Sequence, residues 1–202
     1  MVEALMQYLQ SPWVIAAFAV LLFVLCAVLL GAYMRKSSDM RHLKRVIRKH
    51  GYAVEQNVVL SDGIDGYLFV DYLILLRGKI IAMKVEPSSG YIFGGEKIDE
   101  WTRVENNRTG KFKNPMQEVG LFVQQVRHTL GFDAVEACVL FGSKSVFPKG
   151  VPQGVLQMAH FGEELDALKG GDDKHEAAQQ AWEKLVAMTH EERQRLDLSL
   201  AS

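Results

Sequence analysis

The chain has 202 residues and a mass of 22.7 kDa, enough for about one domain of ordinary size and an additional segment. Hydrophobic residues make up 49% and charged residues 23%, which excludes a disordered or collagen-like chain. The net charge of −1 excludes a protein that coats nucleic acid through bulk positive charge, although it is compatible with a local basic patch. The two cysteines, Cys26 and Cys138, indicate neither a disulfide framework nor a metal site.

An apolar run from Trp13 to Tyr33 predicts a helix that spans a membrane. Its 21 residues would form a helix about 31 Å long, and the hydrocarbon core of a bilayer is about 30 Å thick. The aromatic residues at its ends favour the membrane interface, and Pro12 suits the first helical turn. The alternative is a signal peptide, but no basic residue precedes the run, and the run is long for that class of segment. We therefore expect an uncleaved, single-pass anchor in the lipid bilayer.

The two flanks of this run differ in charge. No Lys or Arg precedes it, whereas the stretch after it holds one acidic residue, Asp39, and these bases: Arg35, Lys36, Arg41, Lys44, Arg45, Arg48 and Lys49. Because positively charged flanks stay on the cytoplasmic side, we expect the N-terminus outside the cell membrane and the rest of the chain in the cytoplasm. The same bases could bind anionic lipid or nucleic-acid phosphate, or could serve only as a topology signal on a solvated helix.

Beyond the anchor, the hydrophobic pattern predicts a mixed α/β domain. Residues 39–50 have apolar positions at helical spacing, and Asn114 followed by Pro115 opens a second helix that ends at Gly131. Segments rich in β-branched and aromatic residues predict strands, the first three forming an antiparallel meander. The predicted strands cover residues 52–60, 67–76, 79–86, 91–93, 135–141 and 155–159. Residues 94–113 between the fourth strand and the second helix are predicted as a polar segment.

The C-terminal tail is acidic and predicted to be helical. One helix is expected from Asp172 or Asp173 to Met188, and Thr189 with Glu192 has the pattern of a capping box that opens another. We expect this tail to form a solvated cap. The predicted organisation is a short extracytoplasmic N-terminus (1–12), a transmembrane helix (13–33), a basic juxtamembrane helix (34–50), a central domain (51–161) and the acidic cap (162–202).

Charged residues interrupt two strongly apolar strands of the meander. Asp71 lies on one strand, and Lys84 and Glu86 share one face of the next because side chains alternate along a strand. A magnesium-dependent nuclease needs carboxylate ligands from two strands and a lysine that stabilises the developing charge. The alternative is a salt-bridged or solvated sheet face. A phosphate loop at residues 142–145 is excluded because the Gly-Lys pair is missing, and the scattered histidines indicate no zinc site.

An ordered set of motifs accompanies these charges. The motifs are Val70-Asp71-Tyr72-Leu73-Ile74, Lys84-Val85-Glu86, Gly90-Tyr91-Ile92-Phe93-Gly94, Trp101, Asn114-Pro115-Met116-Gln117 and Val139-Leu140-Phe141. Over about residues 40 to 170 the set resembles the nuclease-related domain (NERD) family, within the PD-(D/E)XK superfamily. The resemblance implies a restriction-endonuclease-like α-β-β-β-α-β domain, here followed by C-terminal helices.

The sequence departs from the family pattern in three places. Lys84-x-Glu86 stands where the family has Glu-x-Lys, the first helix lacks the usual Glu, and Gln117 follows Pro115 one residue early. At an effective dielectric of 20, charges 4 Å apart interact by about 4 kcal/mol, so exchanging a carboxylate for an ammonium beside a divalent ion changes the energy by roughly 16 kcal/mol. Millimolar Mg²⁺ affinity is worth only about 4 kcal/mol. We therefore expect a degenerate metal site, with Lys84 paired to Asp71.

Three functions are compatible with these features. The leading expectation is a membrane protein that binds DNA, RNA or a membrane-proximal protein without efficient cleavage. Its phosphate contacts would come from Arg103, Arg108, Lys111 and Lys113, which are otherwise solvated loop charges. The second is an active nuclease with Mg²⁺ on Asp71 and Glu86, Lys84 as charge stabiliser and Gln117 positioning water or phosphate, although Gln117 also suits helix capping. The third is an assembly scaffold without nucleic-acid affinity.

Overall fold

The structure is a computed structural model that describes residues 20–26, 39–64 and 66–201. The chain divides into two compact units, residues 1–42 and 43–202. Residues 20–26 are helical and exposed, and the other residues of the predicted transmembrane run lie outside the described part. Within the described ranges, no helix combines the length and apolar character needed to cross a bilayer.

The order of elements confirms the mixed α/β prediction. The helices are α1 (residues 39–50), α2 (Pro115–Leu130), α3 (Phe161–Ala167) and α4 (His175–Ala201), with a 3₁₀ turn at Asp172–Lys174 before α4. The strands are β1 (Ala53–Ser61), β2 (Tyr67–Leu76), β3 (Lys79–Glu86), β4 (Gly90–Phe93), β5 (Glu100–Glu105), β6 (Arg108–Lys113), β7 (Val135–Phe141), β8 (Ser145–Val146) and β9 (Val155–Gln157).

Five strands form the main sheet, in the order β1-β2-β3-β7-β9. The first three pair antiparallel, which confirms the predicted meander, and β7 and β9 continue the sheet in parallel. β3 and β7 are parallel neighbours, and such strands need a long connection between them. Here the connection runs through β4, β5, β6 and α2. The carboxyl half of β3 therefore lies in the middle of the sheet, where helices can cover both faces.

A second sheet, in the order β6-β5-β4-β8, contains a hairpin within residues 94–113, which the sequence predicts only as a polar segment. β5 and β6 pair antiparallel around Asn106 and Asn107, and both residues have positive φ angles (50° and 59°). Asparagine tolerates this conformation, and two such residues match the twist of a tight hairpin. The sequence prediction missed the hairpin because the strands are short and mostly polar.

Each face of the main sheet has its own hydrophobic core. On one face, which we call the cleft face, Leu73 and Ala82 of the sheet pack with Phe122 of α2 and Trp182 of α4. On the other, which we call the α1 face, alternate residues of the same strands pack with Leu43, Val46 and Ile47 of α1 and with Phe161 of α3. Three of the four predicted apolar positions of residues 39–50, namely Leu43, Val46 and Ile47, are thus confirmed as buried, whereas the fourth, Met40, is 38% exposed.

The C-terminal segment is one continuous helix, so the predicted capping box at Thr189 is wrong. Thr189 is 3% exposed and its hydroxyl donates to the carbonyl of Val186, one turn earlier in the same helix. Its side chain is thereby satisfied within the helix and does not cap a new one. The helix also contributes Ala178, Trp182 and Leu185 to the core of the cleft face, where it packs beside β1.

Candidate functional site

Asp71 lies where the ladder between β1 and β2 is interrupted. Paired positions are regular on both sides, Gln56 with Tyr72 and Val58 with Val70, but Asn57 has no ladder partner and has a φ of 51°. Core membership shifts at the same place, since Val70 and Leu73 face one core and Tyr72 the other. At Asp71 the strand therefore changes which of its alternate residues face each core. Irregularities of this kind are common beside functional sites.

The carboxylate of Asp71 is fixed by the neighbouring strand. Its Oδ2 accepts a hydrogen bond of 2.6 Å from the backbone N–H of Val85. Its charge is also felt by the adjacent Tyr72, because burial first and then the Asp71 carboxylate raise the pKa of that phenol. The side chain is therefore a hydrogen-bond acceptor that is held against β3.

Lys84 forms an ion pair with Glu118 of α2, and not with Asp71 as predicted. The Lys84 Nζ donates to Glu118 Oε2, and the two side chains are 30% and 48% exposed. Glu118 lies in the first turn of α2, where a negative charge also interacts favourably with the helix dipole. The sequence offered no direct signal for this contact because it depends on how α2 crosses the carboxyl end of β3.

The other two residues predicted for the site have different partners. The Glu86 carboxylate accepts hydrogen bonds from the Ser88 hydroxyl at 2.6 Å and from its backbone N–H at 3.2 Å. Gln117 donates to Asp99 Oδ1 at 2.7 Å, while Asn114 caps α2 through the N–H of Met116. Neither Glu86 nor Gln117 lines the cleft that contains Asp71.

Trp101 and Asn114 position the start of α2. Trp101 is fully buried, stacks on Phe141 at 5.9 Å and donates to the carbonyl of Gly95 at 3.2 Å. A Cβ on Gly94 would meet the Trp101 ring at 2.2 Å, so only glycine permits this packing. The buried Asn114 amide donates to the carbonyl of Ile98 at 2.9 Å in the same loop. These motif residues therefore serve to hold α2, and with it Glu118, over β3.

A cleft of about 650 Å³ opens beside Asp71 and Lys84. Its walls come from β1, β2, α2 and α4 and are mostly apolar, with an exposed Phe69 and Leu121 at the rim. Its charged lining residues are Asp71, Lys84, Glu118, Arg193 and Asp197. Three acids against two bases leave the cleft with a formal charge of −1.

Arg193 attaches α4 to the irregularity in β1. Its guanidinium donates to the carbonyl of Gln56 at 2.9 Å and also to the carbonyl of Asn57. These are the backbone groups beside the interrupted position in the ladder. The C-terminal helix thus builds one wall of the cleft, a role that its acidic composition did not predict.

The arrangement does not fit a magnesium ion. Asp71 and Glu118 both line the cleft, but Glu118 neutralises the Lys84 ammonium, which lies in the same cleft. Across the described part of the chain, no group of three or more His, Cys, Asp or Glu side chains is arranged to hold a metal ion. Magnesium requires several oxygen ligands at short distance, and an ammonium at that position opposes the divalent charge.

The predicted phosphate-binding residues lie on the β5–β6 hairpin, where alternation places them on two faces. Arg103 and Arg108 share the face of Trp101, whereas Lys111 and Lys113 lie on the opposite face with Glu100. Lys111 forms an ion pair with Glu100 at 3.2 Å. All four basic residues are exposed, but they form two pairs and not one continuous patch.

Comparison with known proteins agrees with this architecture. The model of the nuclease-related domain (NERD) family matches residues 37–148, more than half of the chain, and includes Asp71, Lys84, Glu86 and Glu118. No curated protein and no solved structure matches the chain. Arg193 and the rest of α4 lie beyond the matched residues, so one wall of the cleft comes from outside the family domain. The chain therefore belongs to the nuclease-related domain family.

Proposed function

We propose that this chain is a single-pass membrane protein whose cytoplasmic nuclease-related domain binds nucleic acid without efficient cleavage, because its metal site is degenerate. The membrane placement rests on the apolar run 13–33 and on the basic residues that follow it. The family supports a nuclease-related role. The loss of catalysis rests on one observation, the ion pair between Lys84 and Glu118 in the cleft of Asp71.

The ion pair between Lys84 and Glu118 opposes cleavage because it changes the charge around the metal position. An active site of this type concentrates negative charge around a divalent ion and adds one lysine for the transition state. Here the Lys84 ammonium takes the place of a ligand, and the Glu118 carboxylate, which also lines the cleft, neutralises it. Glu86, which carries the remaining motif charge, is bound to Ser88.

Nucleic-acid binding is assigned to surfaces outside the cleft. The cleft has a formal charge of −1 and does not attract phosphate, whereas the β5–β6 hairpin exposes Arg103, Arg108 and Lys113. Each phosphate neutralised on duplex DNA contributes about 0.9 to the slope of log affinity against log salt. Binding of the full chain should therefore fall steeply with salt and weaken in an Arg103→Glu/Arg108→Glu variant. Absence of binding at low salt favours an assembly scaffold.

A charge-exchange variant tests the degenerate site. Lys84→Glu with Glu86→Lys restores the family order of ligand and lysine, and would place the new carboxylate at residue 84 with Asp71 and Glu118. We expect Mg²⁺-dependent DNA cleavage in this background, lost again on Asp71→Ala. Each single exchange should do less, since Lys84→Glu lacks the lysine and Glu86→Lys adds a second ammonium. A silent double variant that binds Mg²⁺ would contradict the assignment of residue 84.

A second candidate, an active nuclease, is favoured by the shared position of Asp71, Lys84 and Glu118. All three residues line one cleft, but a metal nuclease would need Glu118 to leave Lys84 and to replace the predicted ligand Glu86. In that case the unmodified chain cleaves DNA with Mg²⁺, and Glu118→Gln abolishes cleavage while Glu86→Gln does not. The leading proposal expects no cleavage from any of these three proteins.

A further inference from the structure

We propose that the basic face of α1 binds the anionic headgroups of the membrane, and that this contact directs the Asp71 cleft away from the bilayer. The proposal rests on the membrane anchor of the proposed function. It concerns four exposed cations, Lys44, Arg45, Arg48 and Lys49, which we call the basic ridge.

The core fixes which side of α1 is exposed. Leu43, Val46 and Ile47 are 0%, 8% and 2% exposed and pack into the core of the α1 face. At 100° per residue, Lys44, Arg45 and Arg48 lie within an arc of about 100° on the opposite side of the helix. Because the apolar side is already buried, α1 cannot roll to insert it into lipid. Attachment through this helix must be electrostatic.

The ridge has cations available for such a contact. Within the described part of the chain, none of its four side chains takes part in an ion pair. Asp166 of α3, which contacts the end of α1, is bound to His50 and Lys169 and not to the ridge. By contrast, Lys111 of the hairpin is paired with Glu100. Among the described ion pairs, the ridge therefore keeps all four of its cations outside any pair, whereas the hairpin keeps three of its four.

The length of the chain keeps the ridge within reach of the membrane. Six residue steps separate Tyr33, at the end of the predicted anchor, from Asp39, at the start of the described part of α1, and they span at most about 20 Å. Anionic lipids attract basic residues within a Debye length, about 8 Å. α1 also has no Phe, Tyr or Trp, so it has no aromatic platform for unstacked bases. Proximity and composition together favour lipid headgroups over nucleic acid as the partner of the ridge.

Binding through the ridge has a consequence for the site. α1 packs on one face of the main sheet, and Asp71, Lys84 and Glu118 lie on the face covered by α2 and α4. A domain held by α1 therefore presents the cleft and the end of α4 to the aqueous side. A macromolecular partner could reach the cleft without displacing the membrane contact.

Lysine acetylation in nanodiscs tests the proposal on the full chain. Discs are made of phosphatidylcholine alone or of equal parts phosphatidylcholine and phosphatidylserine, and labelling is followed residue by residue by mass spectrometry. Because each basic residue near an anionic surface strengthens attachment by about fivefold, we expect Lys44 and Lys49 to label at least about fivefold more slowly in phosphatidylserine discs. Lys113 should label equally in both, and high salt should remove the protection.

Matched variants identify the residues responsible. Arg45→Glu/Arg48→Glu keeps both reporter lysines and should abolish their protection, whereas Arg103→Glu/Arg108→Glu on the hairpin should leave it intact. Equal labelling of Lys44 and Lys49 in the two kinds of disc would overturn the proposal while leaving the anchor standing. Protection that appears only when DNA or RNA is added would assign the ridge to nucleic acid and also overturn it. A chain that enters neither disc would refute the anchor itself, and with it the tether on which the ridge depends.

Discussion

The two faces of the main sheet use the same strands for different purposes. On the α1 face, Tyr72, Met83 and Cys138 continue an apolar core up to α1 and α3. On the cleft face the core of the same strands gives way to Asp71 and Lys84, beside an open cleft. Because apolar cores on both faces already fix the strands, the charges beside the cleft can contribute little to folding.

Two lysines on β3 allow this difference to be measured. Lys79 pairs with Glu136 at 2.6 Å near the start of the strand, on the α1 face, and Lys84 pairs with Glu118 near its end, on the cleft face. Both pairs are partly exposed, so neither is expected to dominate stability. If the Lys84 pair has a functional role, mutation of that pair should change binding or catalysis, while mutation of either pair should change the free energy of unfolding by a similar amount.

The largest expected effect concerns Cys138, which lies in the core of the α1 face. The residue is 1% exposed, and burial, followed by the Glu136 charge, raises the pKa of its thiol to about 12. Since the thiolate is the reactive form and an ordinary thiol has a pKa of about 8.5, alkylation at pH 8 should be about a thousandfold slower than for a free thiol. Iodoacetamide labelling of a Cys26→Ser variant measures this rate.

The raised pKa of the Cys138 thiol also makes the free energy of unfolding fall with pH in the alkaline range. Because the folded thiol ionises only at higher pH than the unfolded one, the native state loses stability as pH rises above about 8.5. Unfolding in guanidinium should restore the full alkylation rate. Rapid labelling of Cys138 under native conditions would show that the α1 face opens to solvent.

Truncation of Phe161 should cause the largest loss of stability. Its side chain is fully buried between α3 and the sheet, and removing such an aromatic group costs about 3–5 kcal/mol. Phe69, which is 57% exposed at the rim of the cleft, is the control, and Phe69→Ala should change stability by less than about 0.5 kcal/mol. Urea unfolding of the two variants measures the contrast, and similar costs would refute the distinction between the faces.

A double-mutant cycle on Lys84 and Glu118 should give a smaller energy. With side chains 30% and 48% exposed, the coupling should be about 0.5–1 kcal/mol. The cycle on Lys79 and Glu136 should give a similar value, since those side chains are 20% and 39% exposed. The prediction concerns unfolding free energies from urea titration. A coupling several times larger for the cleft pair would mean that Lys84 and Glu118 are required for the fold.

The smallest effect is expected at Asp166, between α1 and α3. Its hydrogen bond with Lys169 and then that with His50 lower the pKa of its carboxyl group. A lowered folded pKa contributes stability above the unfolded value of about 3.9, and this contribution is lost as pH falls through the folded pKa. Asp166→Asn should therefore be less stable than the parent near neutral pH and equal to it in acid. Glu163→Gln on the same helix is the control, and the urea midpoint measured against pH is the test.

The local elements followed closely from the sequence because their signals are local. The bounds of three strands and one helix lie within one or two residues of their predicted positions. These elements are β1, β2, β3 and the helix that Asn114 and Pro115 open. The β5–β6 hairpin was missed because its strands are short and mostly polar, and Trp101 is the one residue in them that is buried. The break predicted at Thr189 failed because a buried hydroxyl can bond within its own helix.

Two charges that line the cleft, those of Asp71 and Lys84, were singled out from the sequence, but their partners were not. Asp71, Lys84 and Glu86 could be placed on two strands from the alternation of side chains, and the order of motifs indicated the nuclease-related family. Alternation says which face a side chain occupies, but not which helix crosses that face. Only the packing of α2 brings Glu118 to Lys84, and only the long C-terminal helix brings Arg193 to Gln56 and Asn57. These contacts join residues 34 and more positions apart, and such distances are fixed by how whole elements pack together.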